Sequence, residues 1–177
     1  MGKDSYYYLI ASLPMLQFGM KLPFSYEGFL EKCRLELNQE DMDALARVSI
    51  EPSVDIEDKL PLLKEWKRFN RSLKNELART RAIKKGRDPN KYLRGNDGLD
   101  PFIAPLAHWA INQDFPMEAE AYLDRIRWEK IEEIKTGHYF DIEYLAAYGL
   151  QLKILERWQR INSGEGTKVL ERLTGKI

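Results

Sequence analysis

Cysteine and histidine, on which many metal and catalytic sites depend, are scarce in this chain of 177 residues, which has one cysteine and two histidines. A single cysteine, Cys33, excludes an internal disulfide, and a cysteine-based zinc site needs several thiolates. We therefore predict no metal site and no cofactor, in a chain suited to a reducing compartment. Cys33 falls on the apolar side of a helical pattern, which is typical of a small buried side chain.

Long hydrophobic runs are also missing. The longest uncharged run, residues 5–20, is 16 residues long and is interrupted by Pro14 and Gly19. A membrane-spanning helix needs about 20 apolar residues, and a signal peptide needs a basic start that is absent here. The sequence therefore predicts a cytoplasmic protein with no membrane span of its own.

Catalytic motifs are absent as well. The segment Gly164 to Lys168 lacks the spacing of a phosphate-binding loop, and Asp88-Pro89-Asn90 lacks the later ligands of a calcium loop. An enzyme needs a nucleophile or an acid–base group with a partner, and no such pair is recognisable. We predict no catalytic residues and no enzyme activity.

Apolar residues recur at helical spacing along most of the chain. Pro61 is suited to a first helical position, and a seam of apolar residues at intervals of three and four predicts a long helix that ends near Lys85, before Gly86: Leu62, Trp66, Phe69, Leu73 and Leu77. Other starts are indicated by Ser25, Asn38, Asp100-Pro101, Pro116, Asp141 and Thr167. The predicted fold is all-α: a compact bundle of about seven helices with one long basic central helix, in a single domain over 1–177. A subdivision near the 87–100 loop is the alternative.

Charge is segregated along the chain although the net charge is zero. Residues 64–94 carry 12 basic and 3 acidic groups, whereas the segments on either side are acidic. At spacings of four, three, seven and four, five cations define a basic stripe on one side of the long helix: Lys67, Arg71, Lys74, Arg81 and Lys85.

Three interpretations of the basic stripe remain open. It is a solvated face partly neutralised by other helices, or it binds an acidic protein partner, for which repeated cations on a rigid helix are suited. It could instead contact nucleic acid through phosphates. Few aromatic residues are interleaved with the cations, which makes nucleic acid the least favoured partner.

Three stretches together resemble an uncharacterised bacterial family, a domain of unknown function, whose genes lie among those of vacuolar/archaeal-type (V/A-type) ATP synthases. They are Tyr6 to Pro14 (YYYLIASLP), Asn75 to Arg81 (NELARTR) leading into Gly86 to Pro89 (GRDP), and Phe140 to Leu145 (FDIEYL) running on to Leu155 to Trp158. The family in turn is similar to a reduced form of the C subunit, which joins the rotor shaft of those synthases to the membrane proteolipid ring.

This resemblance implies a non-catalytic connector subunit or accessory protein, involved in ion transport only through its complex. The implied partners are the rotor shaft or the proteolipid ring, and the protein would be cytoplasmic and peripheral to the membrane through that complex. The basic stripe would face an acidic partner surface. The triplet Tyr6, Tyr7 and Tyr8 would dock apolar surface, or else pack in the protein's own core. The alternative function is a free-standing helical adaptor or regulator with an acidic protein partner.

Overall fold

Helices dominate the structure, a computed structural model that describes residues 6–52, 58–95 and 101–163. Over these ranges it contains no strand. Its helices are α1 (Tyr7–Ser12), α2 (Tyr26–Arg34), α3 (Gln39–Ala46), α4 (Pro61–Lys84), α5 (Ala104–Ile111), α6 (Pro116–Lys135) and α7 (Ile142–Asn162), with one short 3-10 helix (Pro89–Tyr92). The prediction of an all-α protein with about seven helices is confirmed.

Capping side chains define the starts of several helices. Ser25 accepts a hydrogen bond from the backbone N–H of Gly28, and Asn38 does the same for Asp41, at 3.1 and 2.9 Å. Asp141 caps α7 by accepting from the N–H of Tyr144 at 3.0 Å. Each of these side chains satisfies a backbone donor that has no partner inside the helix, which is why these starts were predictable.

The start of α5 differs from the prediction. The sequence signal at Asp100-Pro101 predicted a helix from there, whereas α5 begins at Ala104. This start places Pro105 in the first turn, where a missing backbone N–H is tolerated. A helix from residue 101 would place Pro105 beyond its first turn, where the proline ring clashes with a carbonyl. The helix predicted from Thr167 lies outside the described residues.

The chain divides into two compact units, residues 1–50 with 135–177 (unit 1) and residues 51–134 (unit 2). The described part of the 87–100 loop, residues 87–95, lies within the range of unit 2. The single domain over 1–177 stays a prediction.

Unit 1 contains α1, α2, α3 and α7. Its most buried helix is α7, whose residues 145–152 are all buried. Gly149 allows a close approach, because a Cβ atom there would lie 3.0 Å from Cε2 of Tyr26. The Tyr26 hydroxyl donates to the carbonyl oxygen of Leu45 at 2.6 Å. Tyr26 therefore connects α2, α3 and α7.

Unit 2 contains α4, α5 and nearly all of α6. Its core is formed by the buried residues Leu73, Leu77, Ile103, Ala107, Ala110 and Leu123. Of the predicted seam on α4, four members are buried and Phe69 is half-buried. The predicted seam therefore faces the core, as amphipathic helices require.

No helix in the described ranges combines the length and the apolar character needed to cross a membrane.

Candidate protein-docking surfaces

The first part of the basic stripe is engaged within unit 2. The Lys67 side chain is 16% exposed, and its Nζ lies 3.9 Å from Oδ2 of the buried Asp58. Lys74 is half-exposed, with Nζ 3.5 Å from Oε2 of Glu51. These two cations are therefore partly neutralised by acidic residues of their own chain.

Arg71, the third cation of this part, is packed rather than free. It is half-buried, and its side chain passes close to Gly95. A Cβ atom on Gly95 would lie 3.3 Å from Cδ of Arg71, and Gly95 adopts φ +75°, which L side chains rarely adopt. The glycine thus lets the loop approach the arginine closely.

The last part of the stripe has a different environment. Arg81 and Lys85 are exposed, and neither has an ion-pair partner among the described residues. They line a shallow cavity of about 220 Å³ together with Ala78, Ala82, Arg87 and Tyr92. We name this cavity the basic pocket. Three exposed cations beside one tyrosine ring form a surface that attracts acidic groups.

The end of α4 gives the basic pocket its shape. The N–H of Gly86 donates to the carbonyl of Ile83 at 3.0 Å, and that of Arg87 donates to Ala82 at 2.9 Å. These two bonds, with Gly86 at φ +63°, form a Schellman motif. Asp88 then accepts from the N–H of Asn90 at 3.0 Å and caps the 3-10 helix. The sequence Gly86 to Pro89 is thus a turn that returns the chain toward α4.

The buried amide side chain of Asn75 holds the loop that follows α4, residues 86–95, which we name the return loop. The Asn75 Nδ2 donates to the carbonyl of Arg94 at 2.9 Å, and its Oδ1 accepts from the N–H of the same residue at 3.0 Å. The side chain thereby pairs with both backbone hydrogen-bonding groups of Arg94, as a neighbouring strand would. Sequence periodicity did not identify this role, because Asn75 is polar and lies beside the predicted seam. The only sequence feature that pointed to Asn75 was its position in the stretch that resembles a known family.

The predicted tyrosine triplet is divided by burial. Tyr6 is buried, its hydroxyl donates to Asp41 and its N–H donates to the carbonyl of Phe140 at 2.8 Å. Tyr8 is 84% exposed, and Tyr7 is also exposed. Tyr6 therefore belongs to the packing of unit 1, and the accessible members are Tyr7 and Tyr8.

Tyr7 and Tyr8 form a small exposed cluster with Phe140. The ring centroid of Tyr7 lies 5.7 Å from that of Tyr8 and 4.7 Å from that of Phe140, which is itself 42% exposed. These three residues are named the aromatic patch. Exposed aromatic rings in contact with one another are typical of protein interaction sites.

Of the remaining reactive residue types, Cys33 and His138 occupy structural positions. Cys33 is buried, and burial raises the pKa of its thiol to about 12, so the reactive thiolate is scarce at neutral pH. His138 Nδ1 lies 2.7 Å from Oδ2 of Asp141, the capping residue of α7. His108 is exposed on α5. In the part of the chain that the structure describes, no three His, Cys, Asp or Glu side chains are arranged to hold a metal ion.

One family model matches part of the chain. Residues 108–177 match the family model described as a protein of unknown function (DUF2764). This segment is less than half of the chain and includes α6, α7 and Phe140 of the aromatic patch, whereas the basic pocket lies before it. No curated protein and no solved structure matches the chain.

Proposed function

We propose that this protein is a non-catalytic helical subunit or accessory protein of a V/A-type ATP synthase, at the position of the C subunit. In this role it holds the rotor shaft and the proteolipid ring in register, on the cytoplasmic side of the membrane. The partner class, subunits of a V/A-type ATP synthase, is inferred from the three sequence stretches that resemble the family described above. The observation that carries a docking role is the basic pocket, where Arg81, Lys85 and Arg87 are exposed on a rigid support.

The support for the pocket is mechanical. α4 has 24 residues and is therefore about 36 Å long. The same helix carries buried core residues, such as Leu73 and Leu77, and the exposed cations that follow them. The helix at whose end Arg81 and Lys85 lie is thus anchored in a packed core.

The aromatic patch offers a second contact of different chemistry. Tyr7 and Tyr8 present large apolar rings with polar hydroxyl groups, which suit them to protein interfaces. A connector needs attachment by apolar area as well as by charge, because charge attraction alone weakens with salt. The patch and the pocket are separate surfaces, in unit 1 and unit 2 respectively.

The direct test is native mass spectrometry of this protein mixed with the purified rotor-shaft and proteolipid-ring subunits of the same organism, at moderate salt. We expect a stoichiometric complex with at least one of them. If neither of them forms a complex with this protein although each is correctly folded and assembled, the connector function is contradicted. The remaining function is then a free-standing adaptor with another acidic partner.

Charge-reversal variants test the basic pocket within that complex. The double variant Arg81→Glu/Lys85→Glu should weaken partner binding about tenfold or more, because it places two negative charges against an acidic surface. The matched control is Lys64→Glu/Arg68→Glu, which changes charge equally at two exposed positions of the same helix outside the pocket. Equal weakening by both variants, or by neither, would show that the pocket is not the docking surface.

A parallel pair of variants tests the aromatic patch. Tyr8→Ser should weaken the same complex, because it removes the most exposed ring of the patch. Leu35→Ser is the control, since Leu35 is also strongly exposed in unit 1 and lies at the end of α2. A greater loss from Leu35→Ser than from Tyr8→Ser would place the apolar contact elsewhere on unit 1.

Salt dependence separates the protein partners from nucleic acid. Nucleic-acid binding would weaken steeply with salt, at a slope set by the number of phosphates contacted. A complex that includes the aromatic patch should persist at moderate salt. Binding of duplex DNA or RNA through Arg81 and Lys85 that exceeds binding of every rotor component would favour the nucleic-acid function.

A further inference from the structure

A second and larger cavity lies on another side of α4, where this helix faces α5. Its volume is about 770 Å³, in the range of small-molecule sites. Both helices belong to unit 2, and the cavity shares no lining residue with the basic pocket. We name it the α4–α5 cavity. Neither the proposed function nor the family match assigns a role to it.

The walls of the α4–α5 cavity are mainly apolar. Pro101, Ala104 and Pro105 line it from the start of α5, and Ile83 lines it from α4. Ile83 is exposed, although isoleucine is usually buried. An apolar body placed among these side chains would remove them from water, which is favourable in proportion to the area covered.

The first pair of polar groups in the cavity is the buried carboxylate of Glu76 and the guanidinium group of Arg79, which are in contact. The Glu76 side chain is 1% exposed, and its Oε2 lies 3.5 Å from Nη1 of Arg79. Its Oε1 is buried and has no hydrogen-bond partner among the described residues. Because a buried charge is unfavourable without a partner, Glu76 and Arg79 stabilise each other in this position.

Arg79 is the group of this pair that a ligand would meet. Its side chain is 39% exposed, whereas Glu76 is covered. A guanidinium group has five N–H donors in a planar fork, and the contact with Glu76 uses one nitrogen. The other donors remain for a bidentate contact with a carboxylate, the geometry that arginine favours.

Two further basic residues stand at the same cavity. The Lys84 Nζ donates to the carbonyl of Ile111 and to Oδ1 of Asn112, both at 3.2 Å, and so ties α4 to the end of α5. His108 lines the cavity from α5 and is exposed. The two positive charges of Arg79 and Lys84 exceed the single negative charge of Glu76. The net positive charge of these three side chains therefore favours an anion in the cavity.

We propose that the α4–α5 cavity binds a small amphiphilic carboxylate, with the carboxylate on Arg79 and an apolar or aromatic body against Ile83, Pro101 and Pro105. The apolar walls disfavour strongly hydrated polyanions. Glu76 is 1% exposed and contacts Arg79, so Arg79 is the charged group that the carboxylate meets. This site is independent of the docking surfaces.

Three probes with the same naphthalene body and different head groups test the proposal by isothermal titration calorimetry. They are 2-naphthoate, the neutral 2-naphthamide and the cationic 2-naphthylmethylamine. We expect 2-naphthoate to bind about tenfold more tightly than the amide, because only the carboxylate carries a negative charge and two acceptor oxygens for a bidentate contact with Arg79. Tightest binding by the amine, equal binding by all three, or no binding of naphthoate would each overturn the proposal.

Variants locate the binding within the cavity. Arg79→Gln should remove the preference for naphthoate over the amide, whereas Arg81→Gln, a matched change in the basic pocket, should preserve it. Because Arg79→Gln leaves Glu76 without its partner and could impair folding, Ala104→Leu provides a second test by filling the cavity at a half-buried position. This variant should weaken all three probes. Unchanged naphthoate binding in Ala104→Leu would place the site elsewhere and overturn the proposal.

Discussion

Lys67 and Arg81 are both cations of the basic stripe on α4, and their surroundings are opposite. Lys67 is largely covered and lies beside the buried carboxylate of Asp58, whereas Arg81 is exposed beside two other cations, Lys85 and Arg87. The two residues were indistinguishable as members of a helical pattern. Because of these environments, Lys67 contributes to the stability of the fold, whereas Arg81 is available to a partner.

The comparison shows why the density of charge in a segment is a weak guide to function. Residues 64–94 carry a net charge of +9, but Lys67, Arg71 and Lys74 already contact residues of their own chain. The cations that remain available to a partner lie at the end of α4, in the basic pocket. The proposed docking function therefore rests on the basic pocket rather than on the whole stripe.

The largest effect on stability is expected from Asn75, which holds the return loop beside the basic pocket. Asn75→Ala removes both hydrogen bonds to Arg94 and should lower the free energy of unfolding by about 2 kcal/mol. Urea denaturation measures this change. Asn90→Ala, at an exposed position in the 3-10 helix, is the control and should change stability by less than about 0.5 kcal/mol. Equal effects of the two variants would show that the loop does not depend on Asn75.

A smaller effect is expected at the covered end of the stripe. Lys67→Ala should lower the free energy of unfolding by about 1 kcal/mol, because it removes the partner of Asp58 and the packing of the lysine stem. Lys64→Ala changes an exposed lysine one turn earlier and should be nearly neutral. If Lys67→Ala were as neutral as this control, Lys67 would resemble Arg81 and the comparison would fail.

Local features of the fold could be predicted from the sequence because they depend on neighbouring residues. The caps Ser25, Asn38 and Asp141 act on backbone groups three residues away. The end of α4 at Gly86 depends on the glycine and on the carbonyls of the preceding turn. A single sequence contains all the information that such features need.

Features that depend on contacts between distant segments could not be predicted in the same way. Asn75 is recognisable as a clamp only when Arg94 is known to lie beside it, and Lys67 is neutralised by a loop residue that no periodicity places there. Tyr6 and Tyr8 are identical residues in one helical segment, yet one is buried and the other exposed. The candidate site was therefore predicted as a stretch of sequence, and its accessible residues were identified only by the structure.

A pH experiment tests a further ion pair, between Lys130 and Glu65 near the start of α4. Lys130 on α6 donates to Glu65 of α4 at 3.0 Å and to Glu133 at 2.7 Å. Burial alone would lower the pKa of Lys130, but its hydrogen bonds and charge interactions with Glu133 and Glu65 raise that pKa above the ordinary 10.5. Because the pKa is raised in the folded state, the stabilisation is fully present below the unfolded pKa and is lost as pH rises through the folded one.

The matched measurement compares wild type with Lys130→Met. The difference in their free energies of unfolding should be constant near neutral pH and should shrink above about pH 10. Lys91→Met, at an exposed position outside these contacts, controls for the general effect of alkaline pH. A difference that stays constant through the alkaline range would mean that the charge of Lys130 does not stabilise the fold.

The smallest effect is expected from the exposed end of the stripe, and it is the most informative about function. Arg81→Ala/Lys85→Ala removes mutual repulsion within the basic pocket but also removes cations that favour a helix C-terminus, so the two effects oppose each other. We expect thermal and urea unfolding to change by less than about 0.5 kcal/mol, while binding to the partner weakens. A loss of more than about 1 kcal/mol would show that these cations already stabilise the chain, as Lys67 does. That result would contradict the contrast with Lys67 and weaken the assignment of the basic pocket as a docking surface, because its cations would already interact with groups of their own chain.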